Sequence, residues 1–95
     1  MKPTLEIKLS EQFRKIVRKY PKPVRYKIGK IIDHIPDGIG KHHLHSGVDI
    51  RCLHQGFFEC RVGLDLRLIF RIKNQQLIFV YAGHHDQIKA FLKSL

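Results

Sequence analysis

Between Phe57 and Gly83 the chain carries three β-type runs separated by two short turns, and no other segment limits the fold as tightly. In FFECRV, Phe57, Glu59 and Arg61 alternate with Phe58, Cys60 and Val62, the period of a strand with two distinct faces. Gly63-Leu64-Asp65 reverses the chain. Leu66, Leu68, Phe70 and Ile72 then point one way, and Arg67, Ile69 and Arg71 the other. Lys73-Asn74-Gln75-Gln76 makes a second turn. LIFVYA, residues 77–82, is apolar on both faces, as a central strand would be. Turns this short join antiparallel neighbours, so the segment reads as a three-stranded meander.

Upstream, Leu5, Ile7 and Leu9 alternate with Thr4, Glu6 and Lys8, predicting a half-buried strand. Ser10 can cap a helix whose apolar face is Phe13, Ile16, Val17 and Tyr20, spaced i, i+3, i+4 and i+7. Pro21 and Pro23 interrupt it; Val24, Ile28, Ile31, Ile32 and Ile35 restart the period, and Pro36 with Gly38 ends it. That is a helical hairpin. Residues 38–56 have no period and hold four of the seven histidines, which predicts a long loop with a short strand at Val48–Leu53. Ile88, Phe91, Leu92 and Leu95 give a short C-terminal helix, with Asp86 placed to cap it. The expectation is one α+β domain over residues 1–95, with an N-terminal strand and helical hairpin packed on a small antiparallel sheet. The helices would cover one sheet face and leave the other partly open.

Eighteen Lys and Arg against eight Asp and Glu give a net charge of +10, and the sequence pI is about 10.0. Such a surface attracts polyanions, nucleic acid or an acidic protein. The hairpin carries Arg14, Lys15, Arg18, Lys19, Lys22, Arg25, Lys27 and Lys30 outside its apolar stripes. A solvated helix face explains most such runs, but charges of nearly one sign also suit a polyanion-docking surface. No apolar run approaches the ~20 residues of a membrane span, and MKPTLEIKLS has no signal-type apolar block. A cytoplasmic protein without membrane contact is expected. Cys52 and Cys60 form no C-x-x-C pair and are expected to be reduced thiols, at least one of them in the core.

His42, His43 and His45 include an H-x-H pair, but nothing nearby completes a zinc pattern, so a surface loop is expected rather than a metal site. Arginines within strands carry more information. Arg61 and Arg67 flank one short turn on adjacent strands, and two convergent guanidiniums fit a phosphate and stay charged at any physiological pH. Arg71 shares Arg67's face, where its stem can equally cover apolar surface. His84 and His85 end the next strand, where an imidazole can move a proton near neutrality; alternation lets only one of the two reach the site. Glu59 shares Arg61's face as a base or a salt-bridge partner. The set amounts to metal-free phosphate chemistry with no cofactor: arginines for the anion, His or Glu for protons. RNA can be cut this way because its own 2′-OH is the nucleophile.

FFECRVGLDLRLIFRIKNQQLIFVYAGHHDQIKAFL resembles the C-terminal half of the RelE/ParE toxin superfamily, small basic proteins of toxin–antitoxin modules. The resemblance lies in LRLIF at Leu66–Phe70 after a short turn, and in AGHHD at Ala82–Asp86 ahead of a final helix. It covers the whole chain in element order and about forty residues in motif detail. It implies a type II toxin with the RelE-like fold, acting as a ribosome-dependent mRNA interferase. That activity is 2′-OH attack on mRNA in the ribosomal A site, leaving a 2′,3′-cyclic phosphate. Arg67 would contact the scissile phosphate and His85 would transfer a proton. Arg61 would belong to the site, and His84 would hold the variable position between. ECRVGLD is most similar to the YafQ-like branch, which has His where this chain has Arg61 and Asp at Asp65. That branch also has a preceding loop histidine, a role open to His42, His43 or His45. Arg61 cannot serve as a base, which leaves Glu59, a loop His or His85. Phe91 either stacks on a base or packs in the core. Ribosomal RNA and an acidic cognate antitoxin are the implied partners. The alternative is a ParE-like gyrase inhibitor or a non-catalytic toxin-fold binding protein, although His85 beside strand arginines argues against the ParE branch.

Overall fold

A computed structural model describes residues 5–38, 50–53 and 56–95. In chain order the elements are β1 (Glu6–Leu9), α1 (Glu11–Arg18), α2 (Lys22–Gly38), β2 (Arg51–Cys52), β3 (Phe57–Val62), β4 (Leu66–Lys73), β5 (Gln76–Gly83) and α3 (His85–Lys93). Of the strand expected at Val48–Leu53, the described part is β2 alone, and residues 48–49 lie outside the described residues. His42, His43 and His45 also lie outside them. No described helix is long and apolar enough to cross a membrane.

Local chemistry sets the helix starts. Ser10 is the N-cap of α1, its hydroxyl accepting the Phe13 N–H at 3.1 Å. Glu11 in the first turn and Arg18 in the last complement the helix dipole. Pro23 falls in the first turn of α2, where a missing N–H costs nothing. At α3 the cap is not Asp86, which sits inside the first turn. His84 is the N-cap residue, and Gln87, three residues on, reaches back so that its Oε1 accepts the His84 N–H at 2.8 Å. Gln87 is at the right reach for that bond and Asp86 is not.

The sheet order is β1-β5-β4-β3-β2. β2 to β5 are antiparallel, as expected, but β1 joins β5 in parallel, with Ile7 opposite Leu77 and Leu9 opposite Phe79, so the sheet is mixed. The helical hairpin and the strands that follow it are a connection long enough to permit a parallel pair. The β4–β5 turn places Asn74 at φ 50° and Gln75 at φ 62°, the two left-handed positions of a tight hairpin.

The sheet is covered on both faces. Phe13, Ile28, Ile32 and Ile35 of α1 and α2 bury Cys60, Val62, Leu66, Leu68, Phe70, Leu77, Phe79 and Ala82. On the other face, α3 lays Ile88, with Phe91 and Leu92, over Phe57, Ile69 and Tyr81. The helices therefore do not share one face: α3 closes part of the side expected to be open. A bulge makes this fit. Phe70 pairs with Phe79 while Ile69 pairs with Tyr81, so Val80 is an extra residue in β5. The bulge returns Ala82 to the α1/α2 core and sends Val80 and Tyr81 towards α3. Cover on both faces of β5 is why the run is apolar throughout.

Candidate active site

The β3–β4 register sets Arg61 opposite Arg67, and the β4–β5 register sets Arg67 opposite Gly83. One row thus crosses three strands at the turn end of the sheet, and the chain leaves Gly83 directly into His84 and His85. Both histidines are exposed, and His85 is the first residue of α3. Gly83 is buried and in ordinary extended backbone. It is required for proximity: a Cβ there would lie 2.9 Å from Gln87 Oε1 and 3.0 Å from Gln87 Cβ. The glycine therefore lets the Gln87 cap close over the strand end.

One register step further into the sheet, on the same face, Glu59 sits opposite Ile69 and beside Arg51 of β2. It is the one buried charged residue among those described, only 3% exposed. Its Oε1 accepts from Arg67 Nη1 at 2.6 Å, and the Arg67 side chain is itself 16% exposed. Of the two roles open to Glu59, the geometry supplies the salt bridge. The pair is net neutral, so Arg67 offers oriented donors more than free charge. Arg67 Nε is buried without a hydrogen-bond partner, a cost of about 1–3 kcal/mol accepted at this position. Arg61 is exposed on the row.

The remaining candidates separate. Arg71 lies at the far end of β4, opposite Phe57 and Ile78, with its guanidinium over the Phe57 ring at 5.4 Å. Its stem and head cover apolar surface, away from the row. Phe91 stacks on Tyr81 (centroids 4.5 Å, 14° between planes) and meets Phe57 edge-on at 6.2 Å, so it is a packing residue beneath α3. Asp65, in the β3–β4 turn, lines a cleft of about 340 Å³ with His84, Tyr20, Val24 and Lys27.

The eight basic residues of the hairpin are all exposed but do not form one surface. Arg14, Arg18 and Arg25 rim an apolar groove of about 400 Å³ between α1 and α2, floored by Leu9, Phe13, Val17, Ile28 and Ile32. Lys15 pairs with Glu11 at 3.4 Å, and Lys30 lies over the Tyr26 ring at 5.0 Å. Lys22 is an exposed residue at the start of α2. Lys27 lines the Asp65 cleft, and Lys19 lines a second cleft, of about 480 Å³, that shares Tyr20 and His84 with it. Gln12, Tyr81 and Gln87 line that second cleft as well. Partial burial, and then the Tyr81 phenol, raise the Tyr20 hydroxyl above its ordinary pKa. The pattern of apolar residues gave no sign of Gln12, Tyr20 or Tyr81 as site residues, since two of them fall on expected packing faces. No cluster of three metal-ligating side chains occurs among the described residues. Cys52 is exposed and Cys60 buried, both as thiols.

These elements in this order make a RelE-like α+β fold. No protein-family model and no curated protein sequence matches the chain; the likeness is in three dimensions. A mutant of the E. coli toxin RelE in its free state superposes with TM-score 0.72 at 12% identity, covering 97% of this chain and 98% of that one. The E. coli DinJ–YafQ toxin–antitoxin complex gives TM-score 0.71 at 20% identity, over 90% and 97% of the two chains. The RelB–RelE antitoxin–toxin complex of Methanococcus jannaschii gives 0.66 at 20% identity, over 88% and 96%.

Proposed function

We propose that this protein is the toxin of a type II toxin–antitoxin pair and that it cleaves mRNA on the ribosome without a metal. The observation that carries the reading is the row Arg61–Arg67–Gly83 running into His84 and His85, with Arg67 held from below by buried Glu59. The RNA 2′-OH attacks the adjacent phosphorus, the P–O5′ bond breaks, and the products are a 2′,3′-cyclic phosphate and a 5′-OH. Arg61 and Arg67 stabilise the added negative charge of the transition state. Because Glu59 is occupied by Arg67, proton transfer falls to an imidazole, with His85 as the leading candidate and His84 or a loop histidine as auxiliary. Asp65 shares a cleft with His84 and can orient it. The scattered lysines and arginines of α1 and α2 serve ribosomal RNA, and the arginine-rimmed groove between them suits an acidic antitoxin.

The test is induction in cells with mapping of mRNA 5′-OH ends. Codon-positioned cuts are expected from the wild type, with at least a hundredfold fewer, on the order of one lost charge-stabilising group, from Arg67→Ala and from His85→Ala. Growth arrest with intact mRNA in all three would overturn the nuclease reading and favour a gyrase inhibitor or a non-catalytic binding protein.

A further inference from the structure

β1 ends at Leu9, opposite Phe79, and the Ser10 N–H donates to the Phe79 carbonyl at 3.0 Å. Beyond Val80, the outer edge of β5 has no strand beside it among the described residues. That unpaired stretch floors the cleft of about 480 Å³ between α1 and the start of α3. Its volume lies within the ~300–1,000 Å³ of small-ligand sites. The lining is specific in its chemistry. Gln12 and Gln87 bring side-chain amides, able to donate and accept. Tyr20 and Tyr81 bring hydroxyls on aromatic rings, and Lys19 brings a cation at the mouth. The Gln87 Oε1 is committed to the His84 N–H, which orients its amide donor group. Amides, phenols and one cation are the groups that recognise the edge and face of an unpaired base on a phosphate-linked strand.

We propose that this cleft is a nucleobase subsite, holding one unpaired base of single-stranded RNA beside the Arg61–Arg67 row. The placement follows from β5 itself. One edge of its C-terminal end pairs with Arg67 through Gly83, and the other edge lines the cleft through Tyr81 and Ala82. The cleft lies across β5 from Arg67, about two strand-widths or roughly 9–10 Å from a phosphate held on β4. That is within the reach of a base on the neighbouring nucleotide. The inference rests on the nuclease reading for delivery of the strand, and on the cleft's own chemistry for the base.

Two arms test it on the purified full chain. In the first, the four nucleoside 5′-monophosphates are titrated against the protein, with ribose 5-phosphate and inorganic phosphate as controls, following the Gln12 and Gln87 side-chain amide resonances. At least one nucleotide is expected to bind about tenfold more tightly than ribose 5-phosphate, and Gln12→Ala to weaken it about tenfold, the scale of one lost base contact. The thermal midpoint should be unchanged, since Gln12 is exposed. In the second, mRNA ends are mapped for the same variant and for Arg67→Ala. Altered base preference beside the cuts in the first, and loss of cuts in the second, support both readings. If ribose 5-phosphate binds as well as the nucleotides, or the variant keeps wild-type affinity, the cleft is not a base site even though cutting persists. If nucleotides bind there and the wild type cuts no mRNA, the base site stands and the nuclease reading fails.

Discussion

Arg67→Met and Glu59→Leu should not cost the same, and the order between them tests how the site is built. The Glu59 side chain is 4% exposed and the Arg67 side chain 16%, joined at 2.6 Å. Removing Arg67 leaves a carboxylate with no partner and almost no water, which costs about 3–5 kcal/mol. Replacing Glu59 leaves a guanidinium that retains some hydration, and the loss is that of one charge-assisted hydrogen bond, about 1.5–3 kcal/mol. The double variant removes both charges from an apolar setting beside Ile69 and should lie within about 1 kcal/mol of wild type. The cycle then gives a coupling energy of at least about 3.5 kcal/mol, at or above the upper end for neighbours in contact. Urea unfolding followed by far-UV circular dichroism reads this directly. At about 1 kcal/mol per molar urea, the Arg67→Met midpoint falls by roughly 3–5 M and the double variant recovers most of it. Equal losses in the two single variants, or a double variant equal to their sum, would refute the claim that Glu59 holds Arg67.

Gly83→Ala should cost about 0.5–2 kcal/mol, the worth of a cap, because the new methyl displaces Gln87 from the His84 N–H; hydrogen exchange at His84 should speed up, and unchanged exchange would count against the close-approach argument. Gln75→Gly should stabilise by about 1 kcal/mol by relieving a left-handed side chain, read as a higher urea midpoint. Burial, and then the charge of Glu59, push the Cys60 thiol from 9.0 up to about 12. Between those values the folded chain keeps a proton the unfolded chain releases, so stability is lost as pH rises from about 9 to about 12, by about 1.4 kcal/mol per unit. Cys60→Ala should flatten that slope, and identical slopes in the two proteins would show that Cys60 is not its source.

Strand periodicity carried the most reliable information in the sequence. It put Glu59 with Arg61 on one face and set Arg61 and Arg67 on either side of one short turn before any register was known, because a meander with two tight turns leaves little freedom in pairing. Helix starts were equally local: Ser10 announced α1. What failed depended on contacts between distant residues. The Val80 bulge is one extra residue in an apolar run, and only packing against α3 and the hairpin together decides where it falls. The parallel pairing of β1 is likewise set by how the hairpin seats on the sheet, and no local pattern records it. Asp86 looked like the cap by residue type, yet reach favoured Gln87. The clefts were invisible because Tyr20 and Tyr81 have the spacing of core residues, and their hydroxyl ends emerge only once α1 and α3 are placed.

The parallel pairing also has a consequence for how the chain comes to exist. Glu6 meets Gln76, and Ser10 meets Val80, each across seventy residues of sequence. The strand made first must wait for the strand made nearly last, while α1 and α2 emerge with their apolar faces uncovered. A chain cut short before β5 holds neither the Arg67–Gly83 row nor a partner for β1, and presents two open strand edges instead. Incomplete copies thereby lack the row and are ready substrates for proteolysis. The last fifth of the chain, residues 76–95, therefore decides whether the sheet and the row are completed at all.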